Sequence, residues 1–163
     1  MKALLGWTLA AVATLSCISR AQSAEKKDAN AGSAKDSSAR EKLIGAWRLG
    51  WMEEPGPDGK LTRITNRTGM LLYTRDGHMS VQLMFPKSDS AVSNDYVKDG
   101  YEASFGRYDV NEEAHTVTHQ VEGSITPGLV GKALTRVYRF SDGHLIIQST
   151  RPDEHWSVTW EHY

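Results

Sequence analysis

Leu43-Ile44-Gly45-Ala46-Trp47-Arg48-Leu49 and Gly69-Met70-Leu71-Leu72-Tyr73-Thr74-Arg75-Asp76-Gly77-His78-Met79-Ser80-Val81-Gln82-Leu83-Met84 decide the fold of this chain. The first stretch sets a glycine two residues before a tryptophan at the start of an apolar alternation. The second places Asp76-Gly77 between two alternating runs, a strong short-range signal for a tight β-hairpin. Outward from these, Pro55-Gly56-Pro57-Asp58-Gly59 separates strands predicted near 47–53 and 61–66. Residues 111–114, Asp142-Gly143 and Pro152-Asp153 punctuate further strands predicted over 106–110, 115–122, 133–140, 144–150 and 155–162. Eight or nine short strands with tight connections predict an all-β, up-and-down antiparallel barrel of about eight strands. Residues 86–100 break the pattern. Ser93 as a cap, Asp95 in a first turn, and Tyr96, Val97 and Tyr101 at near-helical spacing predict a short helix across the open end, or else a plain loop.

The chain has 163 residues, room for one such domain once the N-terminus is set aside. Residues 1–24 read as a secretory signal peptide: Lys2, an uncharged run from Ala3 to Cys17, then small residues around Ala21 and Ala24. That run is shorter than the ~20 residues of a membrane span, so no span is expected in the mature chain. The predicted location is secreted or periplasmic, with lipid anchoring through Cys17 as a lesser alternative. Cys17 is the sole cysteine and lies in the leader, so the mature chain has no disulfide, thiolate metal site or cysteine nucleophile. Residues 25–40 are Ala, Ser, Lys, Asp and Asn without an aromatic, and they read as a disordered linker. The barrel domain is expected over 41–163. The formal charge of −1 falls to −3 when Lys2 and Arg20 leave with the leader, and no basic stripe appears; nucleic acid is not expected as a partner.

With Gly106-Arg107-Tyr108-Asp109-Val110 and Thr116-Val117-Thr118-His119-Gln120-Val121-Glu122-Gly123-Ser124, the two opening stretches resemble the lipocalin-like domain family of bacteria and fungi. The resemblance extends over essentially all of the predicted domain. It implies a lipocalin-like β-barrel and the binding of a small molecule, and it implies no catalytic residue set. The segment between Phe85 and Tyr101 is shorter than the helical insert common in that family, and the leader and linker are additions.

Strand alternation assigns faces. Trp47, Leu49 and Trp51 share one, as do Trp156, Val158, Trp160 and His162; both sets are expected inside, bringing four tryptophans together. The bland alternative is a filled core without a cavity. Arg136 and Tyr138 share an inward face; an arginine inside a barrel needs a partner, and a guest carboxylate with a tyrosine hydroxyl would supply one. Arg136 packed on Trp47 is the structural alternative, a role Arg139 could also fill. His119 lies on an apolar face as a candidate polar contact, and Gln82, Tyr73 and Tyr108 could add a polar patch, with Tyr96 and Tyr101 near the mouth. His115 and His119, about 13 Å apart along a strand, cannot hold one metal together. No metal or other cofactor is predicted. The predicted ligand-binding set is therefore Trp47, Tyr73, Gln82, Tyr108, His119, Arg136, Tyr138, Trp156 and Trp160, taking a small, mostly apolar molecule with a carboxylate or carbonyl. The alternative is an isomerase, cyclase or hydrolase in the same pocket with His119 or Tyr138 as acid–base, since no catalytic motif is present. Oligomeric state is not legible.

Overall fold

The computed structural model describes residues 38–87 and 93–163. The predicted leader, and the predicted linker up to residue 37, lie outside the described residues. The elements run α1 (Ala39–Leu43), β1 (Gly45–Pro55), β2 (Leu61–Ile64), β3 (Thr68–Tyr73), β4 (His78–Met84), β5 (Tyr101–Asn111), β6 (Thr116–Ser124), β7 (Ala133–Ser141), β8 (His144–Ser149) and β9 (Ser157–His162). All neighbours are antiparallel. β3 to β9 follow chain order, and β9 returns to pair with β1. β2 and β3 both lie along β1, β2 on its second half and β3 on its first. They act as one interrupted strand, so the sheet closes as an eight-stranded barrel.

The turns follow from their residues. Asp142-Gly143 forms a two-residue hairpin with both φ positive, the geometry whose twist matches the strands it joins. Asp76-Gly77 turns β3 into β4, closed by the Gly77 amide donating to the Thr74 carbonyl. Gly45 takes φ +139 where α1 gives way to β1, a conformation that disfavours any side chain. At Gly106 β5 approaches β6 so closely that a Cβ would lie 1.9 Å from the Gln120 carbonyl oxygen.

Inside, alternation gathers Leu71 and Tyr73, Met79, Val81 and Leu83, Tyr108, Val117, Tyr138, Leu145, Ile147, Val158 and Trp160 into one core. Two expectations fail on strand geometry. The register of β1 against β9 shifts between Leu49 and Trp51, and one extra residue there reverses the faces. Met52 is buried in the core in place of Trp51, which lies under the Arg63 guanidinium (4.1 Å to the ring) and beside the His144 ring. β4 carries no such shift, so Gln82 alternates with the buried Val81 and Leu83 and faces outward, donating to Ser80 Oγ.

The expected helix across the mouth is absent from residues 93–100. Ser93 Oγ does accept from a backbone amide, but from Asp99, and Asn94 Oδ1 accepts from the amides of Tyr96 and Val97, which makes a side-chain-capped turn. Among the described residues the α-helix is α1, at the opposite end. Ser38 caps it, Leu43 is fully buried, and the Leu43 carbonyl accepts from Trp47 Nε1 at 2.8 Å.

Candidate functional site

Strand direction defines two ends. β1 starts beside α1 and runs to the end where residues 94–97, a single 3-10 turn (Pro127–Leu129) and the 149–156 connection meet. The α1 end is closed. Trp47 packs against His162 (4.7 Å between ring centroids) and Phe140, and Tyr138 packs against Phe140 and His115. Tyr73 stacks on Tyr108 at 4.7 Å, and Tyr108 donates its hydroxyl to the Thr74 carbonyl. The Arg40 guanidinium from α1 lies over the Tyr108 ring. Neither candidate arginine packs on Trp47: Arg139 is exposed and Arg136 points to the other end.

At that other end a chamber of about 170 Å³ opens to the surface. Leu71, Val81, Leu83, Ile147, Val158, Trp156 and Trp160 form its apolar wall. Of the residues expected to contact a guest, His119, Arg136, Trp156 and Trp160 line it, and Tyr96 from the mouth joins them. Trp47, Tyr73, Tyr108 and Tyr138 are inside the barrel as expected, but outside the chamber lining, in the packed end. That packing, tightened by α1, is what removes them from contact with a guest. Gln82 is on the outer wall, and Tyr101 is half exposed and outside the lining.

Five further polar residues line the chamber that sequence reasoning missed: Glu54, Arg67, Asn94, Glu102 and Ser104. Arg67 holds Glu54 through both guanidinium nitrogens, the second bond 3.1 Å long, and its guanidinium lies 4.1 Å from the Phe85 ring centroid. Arg136 is different. It is only 7 % exposed, yet among the described residues no carboxylate forms an ion pair with it. Its one hydrogen bond is from Nη1 to the Thr135 carbonyl, and its guanidinium lies 5.2 Å from the rings of both Tyr96 and Trp156. Those two rings are fixed by one carboxylate: Glu154 accepts from Tyr96 Oη and from Trp156 Nε1. Burial acts to raise the Glu154 carboxyl, but hydrogen bonds from Ser149 and Tyr96 and the Arg151 charge outweigh it and hold it below the usual carboxylate range.

His119 forms the base of the chamber. Its Nε2 shares a 2.7 Å hydrogen bond with the Tyr73 hydroxyl beneath it. Burial first, and then the Arg136 charge, push His119 down to about 3, so the ring is neutral at physiological pH. Burial, with Tyr108 adding to it and Arg136 opposing, raises Tyr73, so that hydroxyl keeps its proton. Glu102 is pushed up to about 7 by burial, with Arg136 offsetting part of the effect. The Trp160 indole N–H, buried in the wall, has no hydrogen-bond partner in the protein. Among the described residues no three histidine or carboxylate side chains converge as a metal site, and no helix is long and apolar enough to cross a membrane.

Three comparisons with known proteins bear on this arrangement. A family model described as a lipocalin-like domain matches residues 44–162. Among curated proteins no sequence match was found. Solved structures with a similar fold include a lipocalin-like protein from Bacteroides uniformis, 13% identical, with 74% of this chain and 98% of that chain covered at a TM-score of 0.44. An uncharacterized protein from Bacteroides eggerthii is 15% identical, with 74% and 99% covered at a TM-score of 0.44. A mutant of the fluorescent protein UnaG is 14% identical, with 75% and 96% covered at a TM-score of 0.40.

Proposed function

The chain belongs to the lipocalin-like domain family, and on that premise we propose that it is a binding barrel for a small, mostly apolar guest bearing a carboxylate or carbonyl. One observation carries the reading. Two arginines line the same chamber; Arg67 is ion-paired with Glu54, while the buried Arg136 has aromatic rings for company and no ion pair. A buried guanidinium without a counter-ion is costly, and a guest acid group seated against it would offset that cost. The orphan N–H of Trp160 in the same wall supports an acceptor on the guest.

The chamber also limits the guest's size. Typical drug-sized sites begin near ~300 Å³, whereas a dry cavity of about 150 Å³ takes one benzene ring. At about 170 Å³, the enclosed part of the guest is one ring or a short chain, and anything longer extends through the mouth. The reading of residues 1–24 as a leader would place this binding in the periplasm or outside the cell.

Benzoate is a suitable probe, read by the fluorescence of the wall tryptophans. We expect saturable binding, and we expect Arg136→Met to weaken it by roughly tenfold to a hundredfold, the loss of a charge-assisted hydrogen bond worth ~1.5–3 kcal/mol. Equal affinity in the two proteins would overturn the assignment of Arg136 as the anchor. Chemical turnover of a bound probe would favour the enzyme alternative instead, with Glu102 in the same chamber as its acid–base group in place of His119, which is tied to Tyr73.

A further inference from the structure

Two ionisable side chains enter the chamber without a bonded counterpart: Arg136 from β7 and Glu102 from β5. The same chamber shows what this chain does when such groups are allowed to meet, because Arg67 and Glu54 make a two-point ion pair at its rim. Glu102 makes no hydrogen bond or ion pair with any described residue. It is within electrostatic reach of Arg136, whose charge acts on its carboxyl, yet the two do not touch. β6 lies between their strands, and the register sets Arg136 opposite Val117 and Val117 opposite Val110, eight residues along β5 from Glu102, so the two side chains reach the chamber from well-separated backbone positions. Both side chains line the same chamber, much of whose wall is apolar.

An acid group alone would satisfy Arg136 and leave Glu102 facing the apolar body of the guest. A carboxyl in that position is costly unless something donates to it. Resting on the acid-binding reading above, we propose that the guest is two-headed: a single ring or short chain with an acid group for Arg136 and, at its other end, a hydroxyl or ammonium that donates to Glu102. The volume of about 170 Å³ suits one ring carrying both substituents.

The test is a cycle in which the head is removed from the guest and the carboxyl from the protein. The probes are benzoate, 4-hydroxybenzoate and 4-(aminomethyl)benzoate, titrated calorimetrically at neutral pH against the wild-type barrel, Glu102→Gln and Glu102→Leu. The wild type is expected to bind at least one of the two-headed probes about tenfold or more tightly than benzoate, as a donor to a charged acceptor warrants. That preference should shrink in Glu102→Gln, which keeps an acceptor without the charge, and vanish in Glu102→Leu. The hydroxyl and aminomethyl arms tell the two donors apart. Equal affinity of all three probes for the wild type, or a preference that survives in Glu102→Leu, would overturn the proposal while leaving the acid-binding reading in place. Failure of benzoate and of both two-headed probes to bind would overturn both. Circular dichroism of the two variants separates a lost head from a lost fold, and the more conservative Gln variant keeps the cycle decisive if Leu does not fold.

Discussion

At the closed end Trp47, Tyr73, Tyr108 and Tyr138 pack on one another and on α1, whereas at the mouth Tyr96, Trp156 and Trp160 stand around a chamber of about 170 Å³. β1, β3, β5 and β7 supply the first set; the second comes from β9 and from the connections at 93–100 and 149–156. Two things separate the ends. The first is the plug: α1 contributes Leu43 and the Arg40 guanidinium below, and no described helix does so above. The second is how polar atoms are satisfied. Below, Trp47 Nε1 finds the Leu43 carbonyl and Tyr108 finds the Thr74 carbonyl, and only the Tyr138 hydroxyl is buried without a partner. Above, Arg136, Glu102 and the Trp160 N–H are left facing one another's neighbourhood without bonds between them. Neither aromatic content nor a lone unpartnered hydroxyl therefore separates the ends; a buried cation without an ion pair, Arg136, does.

Substitution at each end should separate stability from binding. Trp47→Ala removes a buried indole and its hydrogen bond to α1, and is expected to cost about 3–5 kcal/mol in urea unfolding. Arg136→Met at the mouth should leave stability unchanged or raise it, because it replaces an unpaired buried charge by an apolar chain of similar length. A comparable loss in both variants would break the contrast between the ends.

A smaller effect should appear in pH dependence. Glu102 has its folded-state value raised from 4.5 to about 7, so its contribution to stability is fully present below pH 4.5 and is lost as pH rises through 7. His119 has its value lowered from 6.5 to about 3, so its contribution is fully present above pH 6.5 and is lost as pH falls toward 3. The two slopes oppose each other between 4.5 and 6.5. Glu102→Gln should therefore be more stable than wild type by roughly 1–3 kcal/mol at pH 8 and about equal to it at pH 4. A difference independent of pH would remove the buried carboxyl from the account. The smallest effect belongs to the outer wall: Gln82→Ala should change stability by less than about 0.5 kcal/mol and benzoate affinity not at all. A loss of affinity there would mean that Gln82 reaches the guest after all.

What could be read in advance tracks how local the determining physics is. The hairpins were legible because Asp76-Gly77 and Asp142-Gly143 carry their own backbone preference. The inward face of Arg136 and Tyr138 on β7 was legible because nothing interrupts that alternation, whereas Gln82 on β4 was assigned to a guest against its own register. Trp51 was misplaced because the extra residue near Gly50 depends on how β1 meets β9, which no local pattern records. Glu102 was missed because 101–105 was not read as strand, although Glu102, Ser104, Gly106 and Tyr108 alternate through it. Residues 93–100 take the loop that stood as the alternative to a helix there, and α1 was not read in advance. Five residues are too few for propensity to announce α1, whose hold comes from burying Leu43 against the barrel. At the mouth, the capping side chains of Ser93 and Asn94 serve a turn instead.

The Tyr163 amide donates to the Ala46 carbonyl, one residue past the glycine where α1 hands over to β1. Both extremities of the barrel domain therefore leave from the floor. The chamber opens at the opposite end, so residues 38 and 163 both lie away from its aperture.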